Sequence, residues 1–179
     1  MGTTPSTQVL DDGLARLHAM DAAAADAAFH TCCGSTRWAD EMTRARPFTD
    51  RQALFRQAEQ AWLGLDRESW LEAFAHHPRI GQRDLAGAGF APTAAQAARE
   101  QSGMAGASDA QRQEFITLNA AYEARFGHVF LICATGKTAA FMLARLKDRL
   151  NNDPATELLG AAKEQAMILR IRLERMLNA

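Results

Sequence analysis

Two valines and five isoleucines in 179 residues leave almost nothing from which to build a sheet. β-branched side chains favour strands, whereas Ala and Leu head the helix scale. The chain holds 37 Ala and 18 Leu, so an all-α fold is expected. At this length roughly 70% of the unfolded surface is buried on folding. That is enough for one core, and 1–179 reads as a single compact domain of about eight or nine helices with a frayed polar start over 1–8.

Punctuation along the chain divides it into helices. The apolar spacing and the breakers predict helices over 9–20, 22–33, 36–46, 51–65 and 67–76. Gly34 stops the second of these, Ser35 caps the third and Pro47 ends it; Asp50 and Asp66 cap the next two. Pro78 forces the fifth helix to end near His77. Residues 79–92, with Gly81, Gly87, Gly89 and Pro92, read as a loop. Thr93-x-x-Gln96 and Ser108-x-x-Gln111 are capping boxes that open helices over 94–102 and 109–125. Residues 128–135 (HVFLICAT) are the one strand-like run. With no second run to pair with, they are expected to form an extended or short helical connector. A helix over 137–150 follows, and Asp153-Pro154 opens the last one, to about 177.

Several classes of function are disfavoured. Twenty basic residues against 21 acidic give a net charge of −1 and a pI near 6.5, with no basic block to follow phosphates, so no nucleic-acid partner is expected. No apolar run approaches the ~20 residues of a membrane span. The first residues lack a secretory layout, and three cysteines without a CxxC fit a reducing cytosol, so a cytoplasmic location is expected. Gly136-Lys137-Thr138 ends like a phosphate loop, but Leu131 stands where its first Gly belongs, and Gly87-Ala88-Gly89 lacks a third Gly. His30, Cys32 and Cys33 share a helix without a convergent fourth ligand, so buried thiols are favoured over zinc and no metal is expected.

Polar residues on inward faces are more informative. His76 and His77 end an aromatic helix just before Pro78. The helix dipole would favour an imidazolium there and raise its pKa. Spacing supports two readings equally: a capping histidine, or a preorganised acid or base. On the last helix, Leu158, Ala162, Leu169, Leu173 and Met176 form an apolar stripe. Lys163, Arg170, Glu174 and Arg175 fall outside it, but Arg172 lies roughly 40° from the Leu158 direction. A guanidinium so placed needs an anion, as a structural ion pair, an interface contact, or an anchor for a ligand carboxylate or carbonyl. Glu100 and Asn119 also lie beside apolar faces. Titratable groups gathered inward are a common mark of a catalytic site.

In order and spacing, these residues resemble the OHCU (2-oxo-4-hydroxy-4-carboxy-5-ureidoimidazoline) decarboxylase family, from about Asp21 to Leu177. The resemblance is carried by Cys33-Gly34-Ser35 with Trp38 and Met42, by Arg46-Pro47-Phe48, and by His77-Pro78-Arg79-Ile80-Gly81, which looks like the family's bacterial form. Glu100-Gln101, Leu118-Asn119 with Tyr122, Phe126-Gly127 with Phe130, Arg149-Leu150 with Asn152 and Glu157, and Arg172-Leu173 complete it. It implies an all-α homodimer without metal or organic cofactor that makes (S)-allantoin during urate degradation. His77 and Glu100 would be catalytic. Arg172 and Pro78, with the backbone at Phe130, Leu131 and Ile132, would bind substrate. The family often carries Ser three residues before the glutamate, where this chain has Ala97, and the loop between His77 and Glu100 looks slightly longer. A non-enzymatic helical interaction module, with His77, Glu100 and Arg172 apart or solvated, and a hydrolase or lyase for a related ureide are the alternatives.

Overall fold

Eight polar side chains fix where helices begin. Asp11, Asp21, Ser35, Asp50, Asp66, Ser108, Thr138 and Asp153 each accept a backbone N–H from the first turn that follows, which satisfies donors the helix cannot pair internally. The computed structural model describes residues 11–82 and 94–179. Among them are nine α-helices and no strand: α1 (Asp12–Ala19), α2 (Ala22–Cys33), α3 (Thr36–Arg44), α4 (Arg51–Leu63), α5 (Arg67–Ala75), α6 (Ala94–Glu100), α7 (Asp109–Phe126), α8 (Ala139–Arg149) and α9 (Pro154–Leu177). Gly34 (φ 79°) and Gly127 (φ 76°) end α2 and α7 in the left-handed region, where a Cβ is disfavoured.

The boundaries differ from expectation at a few ends. α1 starts at Asp12 because Asp11 is its cap, and α8 starts at Ala139 because Thr138 is. α6 stops at Glu100 and gives way to a 3-10 turn over Ser102–Met104. The Gly87–Gly89 loop, the Thr93 cap and the loop length before Glu100 lie outside the described residues, as do positions 1–10.

The apolar side chains form two cores. One gathers α1–α5 against α9, with Trp38, Trp62, Phe29 and Phe74 at its centre. The other joins α7 and α8 around Phe115, Tyr122, Met142 and Leu146. Residues 129–134, outside any helix or strand, run between them. Leu131 belongs to the first core, with Val129 and Cys133 packed against it. Phe130, Ile132 and Ala134 belong to the second. This is the two-residue alternation of a strand, with a different core on each face. α9 packs on α1, α2, α4 and α7, so its face reaches both cores.

Candidate active site

His77 follows the last turn of α5. Its N–H bonds the Phe74 carbonyl at 3.0 Å, and Pro78 then turns the chain out of the helix. Three side chains fasten the segment beyond it. Asn119 of α7 donates to the Ile80 carbonyl (3.0 Å) and Gln101 accepts from the Gly81 N–H (3.0 Å). Arg79 forms a two-bond pair with Glu123. His77 is thereby held at a small cleft lined also by Pro78, Ala97, Glu100, Gln101 and the Phe130–Ile132 segment. Ile168 and Ile171 of α9 close it.

Glu100, at the end of α6, lines this cleft and is buried. Both of its oxygens accept from Arg172: Nε to Oε1 and Nη2 to Oε2, each 2.8 Å. Arg172 is only 3% exposed and also donates Nη1 to the Cys32 carbonyl (3.1 Å). Glu100, not Arg172, forms the cleft wall, and Arg172 stands behind it. Arg175 was expected on the solvated face of α9. It is instead half-buried, with Nη1 3.5 Å from Glu100 Oε1 and no hydrogen-bond partner for that atom. Two guanidinium groups therefore share one carboxylate, which leaves positive charge in surplus beside the cleft.

The helix-dipole expectation for His77 is reversed. Burial disfavours the imidazolium and holds the ring well below its ordinary 6.5, and desolvation outweighs a helix terminus when a group leaves water. The Arg172 charge and His76 push the same way, while neighbouring Gln165 opposes them. His77 is thus a neutral imidazole at neutral pH, and its Nε2 is a buried atom without a hydrogen-bond partner. His76 points away and is exposed; its Nδ1 lies 2.9 Å from the Glu72 carbonyl and its ring stacks edge-on against His30.

Of the residues singled out in the sequence, His77, Pro78, Glu100, Phe130, Leu131 and Ile132 line one cleft, with Arg172 bonded to its wall. An interaction module predicted separated or solvated groups, and these are gathered and buried. Asn119 holds the loop and does not line the cleft. No group of three potential metal ligands occurs among the described residues. Burial pushes the Cys32 and Cys33 thiols up to about 12, so neither is a ready thiolate. Gln101, Gln165 and Thr135 were not read as site residues. Gln165 lies seven residues before Arg172, two helical turns away on the same face, so the same conflict of angle and polarity marks it in the sequence.

The profile of the OHCU decarboxylase family matches residues 18–174. The uric acid degradation bifunctional protein TTL of Arabidopsis thaliana is 34% identical over 148 residues, which is 82% of this chain and 45% of that protein. A 2-oxo-4-hydroxy-4-carboxy-5-ureidoimidazoline decarboxylase of Amia calva is 37% identical over 100 residues, 55% of each chain. The chain thus spans about half the length of these curated relatives, which come from a plant and a fish. A crystal structure of OHCU decarboxylase in the presence of (S)-allantoin superposes with a TM-score of 0.74 at 33% identity, covering 86% of this chain and 99% of that one. With the profile matched over most of its length and the cleft built from the residues that carry the resemblance, the chain belongs to the OHCU decarboxylase family.

Proposed function

We propose that this chain decarboxylates 2-oxo-4-hydroxy-4-carboxy-5-ureidoimidazoline to (S)-allantoin in urate degradation, acting as a carboxy-lyase without a cofactor. The observation that carries this reading is the cleft itself, where a buried neutral imidazole faces a carboxylate locked to a guanidinium. The substrate's name places its carboxyl and hydroxyl on one ring carbon, beside a ring C=N. When the C–C bond to the carboxylate breaks, its electrons pass to that imine and CO₂ leaves, so the substrate supplies its own electron sink. The protein must hold the carboxylate out of the ring plane and control where the proton returns.

In this reading neutral His77 accepts the hydroxyl proton and returns it to the adjacent carbon from one face, while solvent supplies the proton for the ring nitrogen. Two roles are open to Glu100: fixing the His77 tautomer or bonding the ureido group. Arg172 occupies both of its oxygens, which favours the second role, with the remaining lone pairs accepting ureido N–H groups. Arg172, placed behind Glu100, favours an anionic substrate through the charge it shares in surplus with Arg175, and its part in substrate binding runs through the carboxylate it holds rather than through direct contact. Pro78 and the backbone edge at Phe130 and Ile132 hold the ring, with Leu131 lining the cleft between them. We further infer one decarboxylase domain, of bacterial form by His77-Pro78-Arg79-Ile80-Gly81, working as a cytoplasmic homodimer. No helix among the described residues is long and apolar enough to cross a membrane.

The test follows the optical rotation of allantoin made from freshly generated substrate. The wild-type chain should yield the S enantiomer faster than the uncatalysed decay that gives racemate. His77→Asn should be slower by about 10²–10⁴-fold, the range of a lost acid–base group, and Glu100→Gln should also fall. Formation of the S enantiomer at the wild-type rate by either variant removes that residue from the mechanism.

A further inference from the structure

A second buried ion pair lies behind the extended segment, and it does not touch the cleft. Arg149 ends α8 and Glu157 lies in the first turn of α9, their side chains 6% and 0% exposed. Arg149 donates Nε and Nη2 to Glu157 Oε1, at 2.9 and 2.5 Å. Tyr122 donates its hydroxyl to the same oxygen, and Asn152 donates to Oε2 at 2.8 Å. The guanidinium has one further arm, and Nη1 bonds the Leu131 carbonyl at 2.6 Å. Its Cζ also lies 4.8 Å from the centre of the Phe130 ring. Two positions along, Glu164 of α9 accepts the Cys133 N–H at 2.8 Å.

Burying two charges is costly, and a well-packed apolar pair often serves stability as well. What an apolar pair could not do is grip a peptide group. Among the described residues no strand lies beside 128–135, so no ladder there fixes their rotation about their own axis. In an extended chain, polar groups two residues apart share an edge and the intervening residue presents its own to the opposite edge. The Leu131 carbonyl and the Cys133 N–H are two apart and both are held by charged side chains. The opposite edge, at Phe130 and Ile132, forms no hydrogen bond among the described residues, and both of these residues line the cleft.

We propose that the Arg149–Glu157 pair, with Glu164, positions the Phe130–Ile132 peptide edge so that its N–H and C=O groups meet the polar rim of the substrate ring. Arg149, Glu157 and Glu164 are positioning residues, and none touches the reacting atoms. The inference rests on the decarboxylase reading, because it is that substrate's ring the edge is built to meet.

Arg149→Lys and Glu164→Gln test it. Lysine keeps the charge but cannot bond Glu157 and Leu131 with one planar fork. Glutamine keeps the size of a half-buried side chain but replaces one acceptor oxygen by a donor and removes the charge that strengthens the bond from the Cys133 N–H. Three quantities are measured: amide hydrogen exchange over 128–135, kcat and KM separately, and the enantiomeric excess of allantoin. The expected result is faster exchange confined to this segment, a rise in KM that lowers kcat/KM roughly 10- to 100-fold, as misplacement by an ångström does, and a smaller S excess. A folded variant with wild-type exchange, KM and enantiomeric excess overturns the proposal. If Arg149→Lys does not fold, Glu164→Gln decides alone. A wild-type chain that makes no allantoin defeats the decarboxylase reading instead. Exchange then judges the anchor by itself: acceleration in the variants supports it, and unchanged exchange overturns it.

Discussion

Ala97 occupies the cleft wall three residues before Glu100, on the same face of α6, and is 2% exposed. A hydroxyl there would reach the same space as the carboxylate. Ala97→Ser should therefore lower KM several-fold, about the effect of one added hydrogen bond of roughly 1 kcal/mol, with kcat little changed; steady-state kinetics decide, and an unchanged KM means the hydroxyl meets no substrate atom. Arg172→Lys should act in the opposite direction. A lysine offers a point charge where Glu100 now meets a planar fork, and a kcat/KM within two-fold of wild type would show that the bidentate geometry is dispensable. Arg172 was legible in the sequence because its angle on the helix conflicts with its charge. Its partner was not, since Glu100 and Arg172 are 72 positions apart and no local pattern links them. The protonation of His77 was misjudged for a related reason. A helix terminus is visible in sequence, whereas the depth of burial that overrides it depends on which helices close over the ring.

Helix starts were readable because each is written in one capping side chain, and α7 shows both halves of its capping box. The extended 128–135 segment was recognisable as an irregular connector. Its role as the seam between two cores was not, because period-two alternation does not say what each face meets. The junction after α6 was missed because tertiary contact sets it. A Cβ on Gly103 would lie 1.8 Å from the Lys137 carbonyl oxygen and 3.0 Å from its carbon, so the 3-10 turn over Ser102–Met104 presses directly on the backbone before α8. Gly103→Ala must push these apart and should cost about 1–3 kcal/mol, as overpacking does. Urea unfolding measures this directly, and a midpoint equal to wild type would mean the turn moves away freely. Asn119 gives a parallel case on α7. Asn119→Ala would leave the buried Ile80 carbonyl unpaired, at about 1–3 kcal/mol, and should reduce activity through the loop that places His77.

At the scale of the molecule, the scarcity of Val and Ile settles the class but not where chemistry can occur. The cleft forms where two apolar cores meet, and α9 carries polar residues through that junction: Glu157, Gln165 and Arg172 are all buried on one face. A fold that buries neutral imidazole should depend on pH in a definite direction. His77 is held well below 6.5 by burial first and by Arg172 next, and burial lowers His128 as well. In the unfolded chain both titrate near the ordinary value. Below about pH 6.5, the unfolded state therefore binds protons that the folded state refuses, and folding free energy falls as the pH falls. Stability is fully present above that pH and is lost toward the depressed folded values, at up to about 1.4 kcal/mol per pH unit for each such histidine. Urea midpoints measured from pH 7.5 to pH 5 should decline, and His77→Asn should decline less steeply because its side chain has no proton to gain. Parallel declines in the two proteins would show that His77 takes up its proton in the folded chain, and the neutral imidazole on which the proposed proton transfer depends would then be wrong.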